Sequence, residues 1–295
     1  MKRKAKSREL EGQWHVESPR QLLAFLFEKM PTKSRNTVKG ILSRGQVTIN
    51  GKVSTQFNDA LQPGDRIKVH SRVGDEAVKL SGLRILFEDD DLLVVEKDAG
   101  LLTIATKNEK QGTVYRQLTD YVKTVHPNNR IFIVHRLDRD TSGIMLFAKT
   151  KEVQQILQNN WHELVPERAY IALVEGAVKK DGTITSWLKE NSAFIVYSSP
   201  KPNDGQKAVT HYKVLKKNRH HSLLEVHLET GRKNQIRVHM QDLRHPIVGD
   251  KKYGAQTRPI GRLGLHAFKI SFQHPITNES LTFESKIPAS FLKLF

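Results

Sequence analysis

The chain has 295 residues, no cysteine and a formal net charge of +17, long enough for one large domain or two smaller ones with a real core. The absence of cysteine excludes a disulfide framework, a thiolate nucleophile and a thiolate metal centre, and no apolar run approaches the ~20 residues of a membrane span. The basic start MKRKAKSREL lacks an apolar core, so no secretory signal is expected, and a cytoplasmic protein facing a polyanion, nucleic acid above all, is the natural reading.

Residues 1–14 read as a basic flexible tail. Leu22, Leu23, Phe25, Leu26 and Met30 then form an apolar helical stripe closed by Pro31. Ser34 suits the N-cap of a second helix with Val38, Ile41 and Leu42 on its inner side and Gly45 at its end. Val47 and Ile49 alternate into Asn50-Gly51, a strong hairpin signal, and Pro63-Gly64-Asp65 marks a turn before Ile67 and Val69. The pattern predicts a small α/β domain over residues 15–72 and a linker over 73–81. Residues 1–81 carry 16 Lys+Arg against 8 Asp+Glu, nearly half of the whole excess, which suggests a nucleic-acid-gripping appendage.

Residues 82–295 read as a mixed α+β body. Strands are expected at 84–87, 92–95, 131–134, 144–148, 170–174, 208–215, 223–228 and 281–283, and helices at 114–125, 151–161 and 234–243. Helices do not alternate regularly with strands, so a largely antiparallel mixed sheet with packed helices and a central cleft is predicted rather than a doubly wound one. The acidic run Glu88-Asp89-Asp90-Asp91 lacks the spacing of a calcium loop and reads as a solvated turn. No histidine spacing suggests a metal site.

The densest chemistry is HRLDRDTSG at 135–143, a polar loop between apolar, β-prone flanks. On residue types alone, Asp138 and Asp140 are most simply salt-bridge partners of Arg136 and Arg139. The loop, however, closely resembles the signature of the RluA family of pseudouridine synthases. Further segments resemble that family's motifs in order: ILFEDDDLLVVEKDAGLLT at 85–103, ERAYIALVEG at 167–176, LETGRKNQIRVHMQDLRHPIVGDKKYG at 228–254 and RLGLHAFKISFQHP at 262–275. Residues 18–72 resemble the RNA-binding domain typified by small-subunit ribosomal protein S-four. Two departures are the Glu96-Lys97-Asp98 triplet, where Asn-Lys-Pro is more usual, and Lys233-Asn234, where Thr-His is common.

The resemblance implies isomerisation of uridine to pseudouridine in structured RNA, ribosomal RNA more than transfer RNA. The base leaves the ribose, rotates and rejoins through carbon. No atoms are gained and no redox change occurs, so no cofactor and no metal are expected. By the resemblance Asp138 is the catalytic carboxylate, Arg237 its counterion and Tyr170 the active-site tyrosine. Arg136 enters the stack vacated by the flipped base, Ile236 packs beneath the tyrosine ring, and Lys97 contacts substrate. The target must leave the stack, at a cost of a few kcal/mol. Arg35, Lys39, Arg44 and Lys52 are the expected phosphate contacts of the small domain. A monomer is expected. Two competing readings are a catalytically silent RNA-binding or ribosome-assembly factor on the same fold, and a nucleoside hydrolase that releases the base.

Overall fold

The structure is a computed structural model, and it describes residues 10–43, 45–70, 80–106, 109, 112–126, 128–202 and 205–295. The chain forms two compact units. One is the segment up to Leu80 together with Gln117–Ile131, and the other is Ser81–Arg116 together with Phe132–Phe295. Residues 117–131 thus group with the first unit, whereas the sequence pattern suggested a single cut between residues 72 and 82.

The first unit carries β1 (Leu10–His15), β2 (Arg20–Gln21), α1 (Leu22–Lys29), α2 (Arg35–Ser43), β3 (Val47–Ile49), β4 (Lys52–Ser54), β5 (Ala60–Leu61) and β6 (Arg66–His70). A sheet of order β1-β6-β3-β4 and a separate β2-β5 pair accompany the two helices. Phe25, Leu26, Val38, Ile41, Val47, Ile67 and Val69 fill the core between them. Asn50 and Gly51 have φ of 51° and 86°, the left-handed pair that lets β3 turn tightly into β4. Ser34 Oγ accepts the Thr37 amide at 3.1 Å at the start of α2. The expected tail needs correction at its inner end. Residues 1–9 lie outside the described residues, but Leu10–His15 pairs with β6, and the Trp14 ring meets Phe25 edge-on at 6.5 Å. Residues 71–79, most of the expected linker, also lie outside the described residues.

Continuing along the chain come β7 (Leu83–Glu88), β8 (Leu92–Lys97), α3 (Val114–Val125), β9 (Phe132–Ile133), β10 (Ser142–Ala148), α4 (Lys151–Asn159), α5 (Trp161–Leu164), β11 (Glu167–Glu175), β12 (Gly182–Glu190), β13 (Val196–Ser199), β14 (Gln206–Lys217), β15 (His221–Leu228), α6 (Gln235–Asp242), a 3-10 turn (Lys251–Tyr253), β16 (Leu265–Gln273), β17 (Ser280–Glu284) and α7 (Ala289–Leu292). The large sheet runs β13-β12-β14-β15-β11-β16-β10-β8-β7, with β17 also on β16 and β9 also on β10. Among the described strand pairs only β10 and β16 run parallel; the rest are antiparallel. The predicted largely antiparallel mixed sheet is therefore the fold. β10 is buried along its whole length, as its run SGIMLFA requires of a central strand. The flank before the polar loop is shorter than expected, a two-residue half-buried strand. No helix among the described residues is long and apolar enough to cross a membrane.

The parallel seam sets the position of everything chemical. Gly143 of β10 and Tyr170 of β11 are both register partners of Ala267 on β16. Two strand spacings, roughly 10 Å, therefore separate the end of the polar loop from Tyr170. Gly143 has φ of 122°, and a Cβ there would stand 2.1 Å from the Ala267 carbonyl oxygen, so only glycine fits the seam.

Candidate active site

The loop from His135 to Thr141 leads into β10 and is fixed on both sides of Asp138. The Leu137 side chain is buried, and its carbonyl accepts the Thr103 hydroxyl at 2.7 Å. The Arg139 carbonyl accepts the Gly100 amide at 2.9 Å and the Lys97 ammonium at 2.8 Å. The Thr141 amide closes the turn onto the Asp138 carbonyl at 3.2 Å. His135 Nε2 accepts the Leu146 amide at 3.0 Å, and burial lowers its pKa to about 4, so the ring is a neutral structural acceptor.

Lys97 departs from the expectation of a substrate contact. Its side chain is fully buried and its ammonium donates to the carbonyls of Asp98, Leu101 and Arg139 at 2.9, 2.7 and 2.8 Å. Burial lowers its pKa to about 8. All three donors are used inside the protein, so Lys97 braces the Asp138 loop from behind rather than reaching into the cleft.

Arg237 comes from α6, which follows β15 after a loop locked by Gln235. The Gln235 amide donates to the Val209 carbonyl and the Thr210 hydroxyl at 3.0 and 2.9 Å, and its oxygen accepts from the Arg232 amide at 2.9 Å. Asn234 caps the helix with φ of 55°, a left-handed conformation that asparagine tolerates well. The Arg237 guanidinium grips Asp250 with two bonds of 2.7 Å, from Nε and Nη2. Its remaining nitrogen, Nη1, points to Asp138 Oδ2 at 3.4 Å and Asn234 Oδ1 at 3.2 Å. The Tyr253 ring lies 4.8 Å from the guanidinium carbon. Burial acts to lower the Arg237 pKa, but the Asp250 bonds outweigh it and hold the group above its usual value. Arg237 and Asp138 thus do meet, through a long contact, while the buried Asp250 holds the arginine in place. Sequence reasoning missed Asp250 and Tyr253. Both stand in the segment GDKKYG, but nothing in spacing alone tells that a carboxylate 13 residues on folds back beneath Arg237.

Asp138, Tyr170, Ile236, Arg237 and Arg136 all line one cleft of about 400 Å3. The Asp138 side chain is 34% exposed, half-sheltered rather than buried. Burial raises the Tyr170 phenol pKa, so the hydroxyl is protonated at neutral pH and can donate. Tyr170 packs on the apolar cluster that contains Ile236. Arg136 is exposed at the cleft and makes no hydrogen bond or ion pair with the described residues. Arg168 flanks the site, donating to the Leu228 carbonyl at 3.1 Å while its guanidinium carbon lies 5.8 Å from the Trp161 ring.

In the first unit Arg35 and Lys39 are exposed on α2, one turn apart and away from the buried Val38, and Lys52 is exposed on β4. Arg44 lies outside the described residues. The acidic turn between β7 and β8 is more structured than a solvated turn. Asp89 accepts the amides of Asp91 and Leu92 and faces His274 Nε2 at 3.0 Å. Asp89, Asp91 and His274 offer ligand atoms within 4.8 Å of one another, but none of them lines the Asp138 cleft.

The profile of the RNA pseudouridylate synthase family matches residues 91–242, which contain the Asp138 loop, Tyr170 and Arg237. The chain belongs to the RNA pseudouridylate synthase family. An S4 domain matches residues 20–67. Ribosomal large subunit pseudouridine synthase D of Neisseria meningitidis serogroup A is 35% identical over 284 residues, covering 91% of this chain and 76% of its own length. The uncharacterized RNA pseudouridine synthase YhcT of Bacillus subtilis is 34% identical over 267 residues, 88% of each chain. Among solved structures, human RNA pseudouridylate synthase domain containing 1 superposes with a TM-score of 0.58 at 26% identity, over 71% of this chain and 85% of its own. As a member of the RNA pseudouridylate synthase family, the protein is an RNA-binding isomerase that converts uridine to pseudouridine.

Proposed function

We propose that the chain isomerises uridine in large-subunit ribosomal RNA, with Asp138 as the catalytic carboxylate. The observation that carries this reading is the convergence of Asp138, Arg237 and Tyr170 on a single cleft, with Arg237 pinned from behind by Asp250. The relatives named for the large ribosomal subunit, 31–35% identical, favour that RNA over transfer RNA.

In the reaction the bond from ribose C1′ to N1 breaks, the uracil rotates, and C1′ bonds to C5. C5 loses its proton and N1, freed of the sugar, gains one. As the base leaves, the sugar becomes electron-poor, and a carboxylate stabilises or captures such a centre. Asp138 acts there. Arg237 aims Asp138 through the Nη1–Oδ2 contact. The neutral Tyr170 stacks on the uracil over the Ile236 floor, and its oxygen relays the C5 proton. Arg136 fills the gap left by the flipped nucleotide, as a planar guanidinium suits stacking on bases. The small N-terminal domain grips phosphates with Arg35, Lys39, Arg44 and Lys52, and the larger body that carries Asp138 does the chemistry. The protein works as a cytoplasmic monomer, and the isomerisation, being redox-neutral and adding no atoms, needs no redox or group-carrying cofactor.

The test compares ribosomal RNA from wild-type and deletion cells by carbodiimide treatment and primer extension. At least one large-subunit stop is expected to vanish on deletion and to return with the wild-type gene but not with Asp138→Asn. A deletion that removes only transfer-RNA stops would overturn the choice of RNA. Rescue by Asp138→Asn would overturn the role of the aspartate.

A further inference from the structure

Behind Arg237 lies a second cleft, of about 560 Å3, that the chemistry above leaves unused. Arg237 is a wall common to both clefts. Lys251, Lys252, Arg258 and Arg262 line the second, opposed by Asp140 and by Asp250, which Arg237 already occupies. Lys252 donates to the Phe194 carbonyl. Among the described residues no carboxylate comes within ion-pair reach of Lys251, Arg258 or Arg262.

Arg262 is the most telling of these. It is half-buried, its guanidinium carbon 5.4 Å from the ring of the fully buried Phe291. Its hydrogen bonds go only to neutral acceptors, the Leu263 and Leu265 carbonyls at 3.1 and 3.0 Å and Ser142 Oγ at 2.7 Å. Burial holds its pKa below the usual arginine value. Asp98 and Asp140 are near enough to act on Arg262 electrostatically, but neither pairs with it, and a sheltered cation without a paired carboxylate favours an anion from outside the protein. The loop that carries Arg258 is also built rather than loose. Glu175 accepts the Thr257 amide and hydroxyl, both at 2.6 Å, and the Gln256 amide at 3.0 Å.

We propose that this second cleft binds the phosphodiester backbone of the RNA strand next to the flipped uridine, through Arg258, Arg262 and Lys251. The assignment rests on the reading that the target nucleotide enters the Asp138 cleft. A polynucleotide with one base on one side of Arg237 carries its neighbouring phosphates past that same wall. A planar guanidinium suits a phosphate in particular, because it can bind two oxygens at once. Such contacts fix the register of the strand and carry no sequence information.

The test uses the full chain and a short oligouridylate, with binding followed by fluorescence anisotropy across a salt series. The Lys251→Ala, Arg258→Ala double variant is expected to flatten the slope of log affinity against log salt by about 1.4, about 0.7 per lost contact on a single strand. Lys179→Ala with Lys180→Ala, exposed residues of the same unit that line neither cleft, is expected to leave the slope unchanged. An unchanged slope in the first variant, or equal flattening in both, overturns the site. Inorganic phosphate is tested beside it by thermal shift. If phosphate stabilises the wild type but not the double variant while the RNA slopes agree, the cleft takes a free anion and the RNA assignment is wrong. The same proteins are assayed for tritium release from large-subunit transcript labelled at uridine C5. A flattened slope with no tritium release by the wild type upholds the cleft and removes the proposed substrate. Release with an unchanged slope removes the cleft alone.

Discussion

At the scale of single residues, the site is a chain of constraint that runs from a buried acid to a half-exposed one. Asp250 is 1% exposed, Arg237 16% and Asp138 34% in their side chains. The inner pair is bidentate and the outer contact long, so the geometry of Asp138 depends on Asp250 without any contact between them. Asp250→Asn breaks a buried pair and is expected to cost about 3 kcal/mol of stability, read by urea unfolding, and to lower kcat. Unaltered stability and turnover would show that Arg237 orients itself. Arg136→Ala is expected to reduce turnover on a structured RNA far more than on an unpaired uridine, because only the former must be unstacked. Equal losses on both substrates would remove the intercalating role. That Asp138, Tyr170 and Arg237 belong together was legible only through the resemblance of the loop, strand and helix that carry them to the family's motifs, and the three do line one cleft. Asp250 was not, because its pairing crosses a loop, and Lys97 was misread because a sequence does not tell which lysine folds inward.

At the scale of elements, the parallel seam between β10 and β16 is the part on which the site is hung. Ser142 Oγ meets His266 Nδ1 at 2.7 Å across it, and His266 Nε2 meets Ser285 Oγ at 2.6 Å. Gly143→Ala would drive a methyl into the Ala267 backbone in a conformation that L residues avoid. A loss of about 3 kcal/mol is expected in denaturant melts, with Asp138 displaced and activity lost together. A variant as stable as wild type would mean that the seam is looser than its geometry. Apolar runs such as Leu92–Val95 and Ile144–Ala148 announced their strands plainly. β1, β12, β13 and β16 did not. β12 is half-exposed along most of its length and carries polar residues, and β16 mixes His, Lys and Ser into a mostly buried strand because their polar atoms find partners across the sheet.

At the scale of the whole molecule, three neutral histidines link stability to pH. His135, His239 and His266 have pKa values lowered by burial to about 4. In the unfolded chain each takes up a proton near 6.5, and in the folded chain only near 4. Between those values the unfolded state binds more protons, so stability falls as pH drops from about 6.5 to 4, by about 1.4 kcal/mol per pH unit for each histidine, and above 6.5 they contribute no slope. His239→Gln is expected to remove one such share from the slope measured by urea melts at several pH values. A variant with the wild-type slope would mean that His239 is protonated in the folded state. The uneven charge, nearly half of the basic excess in residues 1–81, was visible in the sequence. The grouping of residues 117–131 with the first unit was not, because a helix that begins in one unit and continues in the other has no local mark.

The most direct measurement is the turnover of purified Asp138→Asn on large-subunit ribosomal RNA tritiated at uridine C5, set beside its RNA affinity and its melting curve. Removal of one carboxylate oxygen charge is expected to reduce tritium release by at least about a thousandfold, with affinity within about twofold of wild type and the fold intact. Release within about tenfold of wild type by a folded Asp138→Asn protein would contradict the assignment of the chemistry to that side chain.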